Sequence, residues 1–230
     1  MNKQLNKESK SKKETSHNSE RQQRSSQDRI TDFILYGMII ILVAFGAYAY
    51  FGNSSLLNKS MAYKYSNGDS TFEVRRISEN ECQIKVFFQG DPKPYIITTR
   101  YDPARLEDVN ISRRGLNAVK DDKHVYFAID PYANMTGSTV IATMELGKFI
   151  SNRFFFNIPS SGAVTKPYNN KTVVSCKDAN QFMSVIELRL GDRNRVYSES
   201  QGCIVIEGTN EDELIRGADR LVLYWIGVMK

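Results

Sequence analysis

The sequence predicts an α/β or α+β fold, a small mixed-sheet domain with a C-terminal packing helix, set behind an N-terminal transmembrane helix. Three observations lead there. FILYGMIIILVAFGAYAYF, from Phe33 to Phe51, is an uncharged run. Short alternating or continuous apolar runs recur from Thr71 to Gly208, and a capped stretch of helical periodicity closes the chain from Asn210 to Met229. The formal charge of the 230 residues is +5, but residues 1–32 alone hold eight Lys/Arg against five Asp/Glu. The remainder is nearly balanced, so no nucleic-acid partner is expected. Three Cys and two His leave few metal ligands, and no cofactor is expected.

Residues 1–32 carry one Leu, one Ile and no aromatic ring, too little apolar surface to offset ordering entropy, and read as a disordered cytoplasmic tail. Residues 33–51 follow as the anchor. Nineteen helical residues reach about 28 Å, close to the hydrocarbon core of a bilayer. Phe33 and Tyr36 stand at one end, with Tyr48, Tyr50 and Phe51 at the other, where amphipathic rings favour the two interfaces. Lys13, Arg21, Arg24 and Arg29 precede the run and only Lys59 and Lys64 follow closely, which predicts a cytoplasmic N-terminus and everything after the run outside. Ala47-Tyr48-Ala49 fits a signal-peptidase site, a rival that the length of the leading region disfavours, and the missing Gly before Phe33 disfavours a pilin-type helix.

Five Asn-x-Ser/Thr sequons, at Asn53, Asn58, Asn110, Asn134 and Asn170, all fall on the expected outside and are candidate glycosylation sites. Cys176 and Cys203 bracket a pair of predicted strands, so a bridge between them would staple the C-terminal half. Cys82 is then left over, as a buried free thiol.

Residues 52–70 read as a juxtamembrane linker, and 71–230 as the exterior domain. TFEVRRI and CQIKVFFQG alternate around SENE as a hairpin, and PYIITTR gives a third strand. HVYFAID is a buried strand that stops at Asp130-Pro131. STVIATMELGKFIS is helical in spacing, with Ser138 or Thr139 to cap it, and FFFNI follows as the next strand of a βαβ unit. KTVVSC, SVIELRL and CIVIEG are three further strands, with a turn and an extra strand inside GDRNRVYSESQG.

In the last helix Asn210 caps, Glu213 completes a capping box, and Glu211 and Asp212 complement the helix dipole. Leu214, Ile215, Ala218, Leu221, Val222, Trp225 and Met229 form the docking stripe, with Glu213, Arg216, Gly217 and Arg220 opposite and Asp212 paired to Arg216. The uncharged LVLYWIGVM would reach only about 14 Å and is no second anchor. Leu223 and Tyr224, off the stripe, are candidate partner contacts unless the domain covers them.

No residue pattern names a reaction, and no catalytic residue is assigned. His124 reads as a strand-start residue, Asp102-Pro103 and Asp130-Pro131 as turns, Ser160-Ser161-Gly162 as a flexible loop, and Gly137 and Gly147-Lys148 lack phosphate-loop spacing. Arg113-Arg114 and Asp121-Asp122 read as solvated charge.

YDPARLEDVNI, AIDP, VVSCKDAN, VIELRLGD, GCIVIEG and ELIRGADRLVLYWIGVM resemble segments of archaeal single-pass membrane proteins from small-genome lineages such as the Woesearchaeota. The resemblance spans Thr71 to Met229 and is most specific at Cys176, Cys203 and Ala218 to Leu221. It implies one anchor and an exterior α/β domain with a cysteine pair, and it implies no activity; Cys82 departs from its two-cysteine pattern. The expected function is non-enzymatic: a membrane-anchored cell-surface protein whose partners are the lipid bilayer and an envelope or surface-layer protein, or further copies of itself. The alternative is an extracytoplasmic enzyme acting on cell-wall or glycan material, which would need two carboxylates converging in one cleft.

Overall fold

The computed structural model describes residues 36–47, 61–88, 90, 92–121 and 123–230. The tail, both ends of the expected anchor, and the sequons at Asn53 and Asn58 lie outside the described residues. The chain divides into two compact units, Met1–Lys59 and Ser60–Lys230. In the first, residues 36–47 form helix α1, on which Tyr36, Met38 to Val43 and Phe45 are exposed apolar side chains. Among the described residues no helix is long and apolar enough to cross a membrane.

The second unit is a mixed α/β fold. β1 (Met61–Ser66), β2 (Thr71–Ser78), β3 (Glu81–Val86) and β4 (Tyr95–Thr99) form an antiparallel meander in that order. Period-two alternation sets its inner face: Val74, Cys82, Ile84, Val86 and Ile97 are buried, while Glu73 and Lys85 pair across the outer one at 2.5 Å. β1 begins ten residues before the domain start expected at Thr71. MAYKYS turns Tyr63 and Tyr65 inward and extends the sheet, so residues 61–66 belong to the domain and not to the stretch expected to precede it.

A second, six-stranded sheet has the order β5-β9-β10-β8-β6-β7, with β5 (Asn110–Ile111), β6 (His124–Ile129), β7 (Ser160–Val164), β8 (Met183–Leu190), β9 (Arg195–Ser200) and β10 (Cys203–Gly208). β9 is antiparallel to β10, and every other neighbouring pair is parallel. Helices α2 (Gly137–Ile150) and α3 (Glu211–Trp225) pack on one face. Their buried side chains share one core with the inner face of the meander, so the helix layer sits between two sheets. On the far face of the six-stranded sheet, Ala128, Ala163 and Val185 are covered by the segment from 165 to 182 through Val174 and Ala179. The Cys176–Cys203 disulfide ties that segment down, and Cys82 is buried and free.

The βαβ unit is present, but its second strand is Ser160–Val164, read from sequence as a loop, and not FFFNI. Phe155 packs against Phe149 and Phe88, and Phe156 against Trp225, so these two rings form a plug in a turn while Phe154 stays exposed. KTVVSC is likewise not a full strand. It makes one parallel bridge, Val173 to Val164, before a 3-10 turn at Cys176–Asp178.

α3 is buried almost all round, which corrects its expected polar side. Gly217 lies against the sheet, where a Cβ would come within 2.5 Å of Ile206 Cγ2. Asp219 and Arg220 are buried too, and Arg216 pairs with Glu213 and Asp108 rather than Asp212. Asn210 caps the helix by accepting the Glu213 N–H at 3.1 Å. The helix ends at Trp225. Gly227, at φ 78°, donates to Tyr224 O, and Val228 donates to Leu223 O, a Schellman closure that turns Val228 and Met229 back into the core. Leu223 is therefore fully buried and Tyr224 half-buried, and the domain itself covers the contact expected at Leu223.

Candidate functional site

β6 and β7 are parallel neighbours whose following connections leave on opposite faces. α2 returns over the helix face, and the segment from 165 to 182 returns over the far face. A crevice outside the carboxyl ends of two such strands is where open α/β sheets bind ligands. A cleft of about 480 Å³ occupies that place. Phe127 and Ile129 of β6, Met135 before α2, Val140 on α2 and Val164 of β7 give it apolar walls. Gly162, with nothing within 4 Å of a Cβ placed there, leaves it open between strand and helix. Val140, Met144, Tyr132 and Tyr168 are exposed apolar side chains, of which Val140 and Tyr168 line the cleft and Tyr132 stacks edge-on against Tyr168.

The polar groups here are committed to structure. Asp130, just past β6, accepts from Lys166 Nζ at 2.6 Å and from the Tyr132 N–H at 3.0 Å. The lysine bond and the backbone bond hold its carboxyl below the usual range. The first amides of α2 would suit an anion, but Glu211 fills the place. Its carboxylate accepts from Thr136 N at 2.7 Å, Thr139 N at 2.9 Å and Thr139 Oγ1 at 2.7 Å. Burial pushes the Glu211 carboxyl up, and the bonds from Thr139 and Thr136 outweigh that and hold it low. The expected Ser138 or Thr139 cap is thus replaced by a residue of α3. Thr143 donates to Val140 O. Lys171, exposed at the cleft, is the charged lining group with no side-chain partner among the described residues.

Other chemistry-bearing side chains are placed as follows. His124 Nε2 lies 3.2 Å from Ser161 Oγ, and among the described residues no carboxylate meets its other nitrogen. Asp102 is buried under Arg76 and the Tyr63 hydroxyl. Burial and the neighbouring Asp102 charge push the Cys82 thiol up to about 12, so it is not nucleophilic at neutral pH. On the far face of the six-stranded sheet, Glu187 and Glu207 are held by Arg189 and Arg195, and Glu199 also meets Arg189. Glu199 lies within 4.8 Å of both Cys176 and Cys203 sulfurs, but those sulfurs bond to each other. The described sequons, Asn110, Asn134 and Asn170, are all exposed, and the last two adjoin the cleft residues Met135 and Lys171.

The cleft depends on two strands, a helix and a loop that meet only in the fold. The one local signal for it was Asp130-Pro131, where a buried strand stops abruptly. Comparison with known proteins finds no matching family, no matching curated protein and no matching solved structure.

Proposed function

We propose that the chain is a single-pass membrane protein with a cytoplasmic N-terminus, displaying a non-catalytic α/β domain outside the cell for contacts with another protein of the envelope or a surface assembly. The observation that carries this reading is the state of the switch-point cleft. Its carboxylate is neutralised by Lys166, and the helix amides beside it are filled by Glu211. A catalytic acid or base must be free to exchange a proton with substrate, whereas a contact surface needs exposed apolar area, which Val140, Met144, Tyr132 and Tyr168 offer. The uncharged run at 33–51 supports the anchor, and a Cys176–Cys203 disulfide fits an oxidising exterior.

A photo-crosslinking side chain at Val140 in intact cells, followed by mass spectrometry, tests the contact. One recurrent protein partner is the expected outcome. No crosslink above the level of a control on the outer face of the meander, or a domain protected while the tail is cut by protease added to cells, would sink the reading.

A further inference from the structure

We infer that the cleft receives the C-terminal end of a partner chain: its main chain adds to the β7 edge, its last apolar side chain enters the cleft, and its terminal carboxylate meets Lys171. The inference rests on the reading of this cleft as a protein contact. β7 is the outermost strand of its sheet. Thr165 donates to Ile129 O and Val125 to Pro159 O, so odd-numbered residues of this stretch face β6 and the N–H and C=O groups of Ser160 and Gly162 point outward. That edge already takes a parallel strand at its far end, where Val164 N–H donates to Thr172 O and Val174 N–H to Val164 O. Beside Gly162 the position is open, because residues 168–171 turn away with Asn169 and Asn170 in left-handed conformation.

SSGAV carries none of the charge or proline that guards an edge strand against added strands. A chain laid between β7 and α2, running parallel to β7, would place alternate side chains toward Phe127, Ile129 and Val140. It would end beside Lys171, whose neighbour Thr172 occupies the next edge position. Charge selects a chain end over an internal segment. Asp130 is offset by Lys166, and Glu211 lies at the positive ends of both α2 and α3. Lys171 is left as the uncompensated charge at the apolar cleft, which fits one carboxylate attached to one apolar group.

The test is fluorescence polarisation on the full chain in lipid nanodiscs, with dye-labelled hexapeptides Gly-Ser-Thr-Val-Thr-X, where X is Leu, Phe or Lys, each as free acid and as carboxamide. Saturable binding of the Leu or Phe acids is expected, with the carboxamides about tenfold weaker, the loss of one charge-assisted contact, and the Lys peptide weaker still. Lys171→Gln should bring the acids down to the carboxamides. Val140→Glu, at an exposed position, should weaken every peptide, and Gly162→Val should fill the cleft and abolish binding; unchanged Trp225 fluorescence reports that each variant is folded. Equal binding of acid and amide, indifference to Lys171→Gln, or no saturable binding overturns the inference. Displacement by octanoate at concentrations below the peptide's own Kd also overturns it, in favour of a free acyl acid. A partner crosslinked at Val140 without acid-dependent peptide binding defeats this inference alone. Peptide binding with the domain shielded inside cells defeats the proposed function alone.

Discussion

The Oδ2 atom of Asp219 in α3 accepts the backbone N–H of Tyr101 at 2.8 Å and that of Arg100 at 3.0 Å, joining the last helix to the end of β4 across 118 residues. Its other oxygen, Oδ1, is buried without a partner among the described residues. Burial is the main reason its carboxyl is pushed up to about 8, and the nearby Glu145 charge adds to it.

That shift makes stability depend on pH. Folded, the carboxyl keeps its proton up to about pH 8; unfolded, it loses it near 3.8. Between those values the native state binds more protons, so stability falls as pH rises and levels off above about 8. Arg100, Lys148 and Glu145 face the same group and set the background slope. Asp219→Asn keeps an oxygen for the two amides and should flatten the decline in Tm between pH 5 and pH 8, as thermal melts across that range would read.

Gly217→Ala should cost about 1–3 kcal/mol, the usual toll of overpacking a tight core. The added Cβ collides with Ile206 Cγ2. Chemical denaturation of Gly217→Ala, Ile206→Ala and the pair gives the check. The double variant should lose less than the sum of the singles.

Reduction of Cys176–Cys203, which closes 27 residues of chain, should remove about 2–4 kcal/mol. A lower Tm in reductant, absent from a Cys176→Ser/Cys203→Ser variant, would show it. Cys82 should resist alkylation at pH 8 until the protein is denatured, because its thiol is buried and protonated.

Glu211→Ala should destabilise by about 1 kcal/mol or more, since it removes a helix cap. Because the folded carboxyl titrates below its ordinary 4.5, its contribution is present above that value and is lost as pH falls through the folded one. The gap in Tm between the wild type and this variant should therefore narrow in acid.

The strands with strong alternation or long apolar runs, β2, β3, β4, β6, β8 and β10, were legible, and so were both helices of the domain. In the strands the local pattern and the buried face agree, apart from the exposed Ile96 of β4; in α2 they do not, since Val140 and Met144 of its apolar spacing are exposed while Thr139 and Glu145 are buried. β7 was not, because SSGAV has little side chain to pattern and earns its place by pairing with β6. FFFNI misled for the opposite reason: three aromatic rings raise strand propensity wherever they are used. The helix spacing of α3 gave one docking stripe, but burial on both sides of the layer leaves no polar face to find, and Gly217, Asp219 and Arg220 fall inside. The cap of α2 by Glu211 spans 72 residues and has no local trace.

The order of elements along the chain has a cost during synthesis. Among the described residues all ten strands precede α3, yet both sheets lay their inner faces on the layer that α3 completes. Until residues 211–229 emerge, a growing chain holds two half-covered sheets with uncovered apolar faces and an open β7 edge. That interval is when it is most prone to aggregate and most in need of a chaperone on the side where it folds.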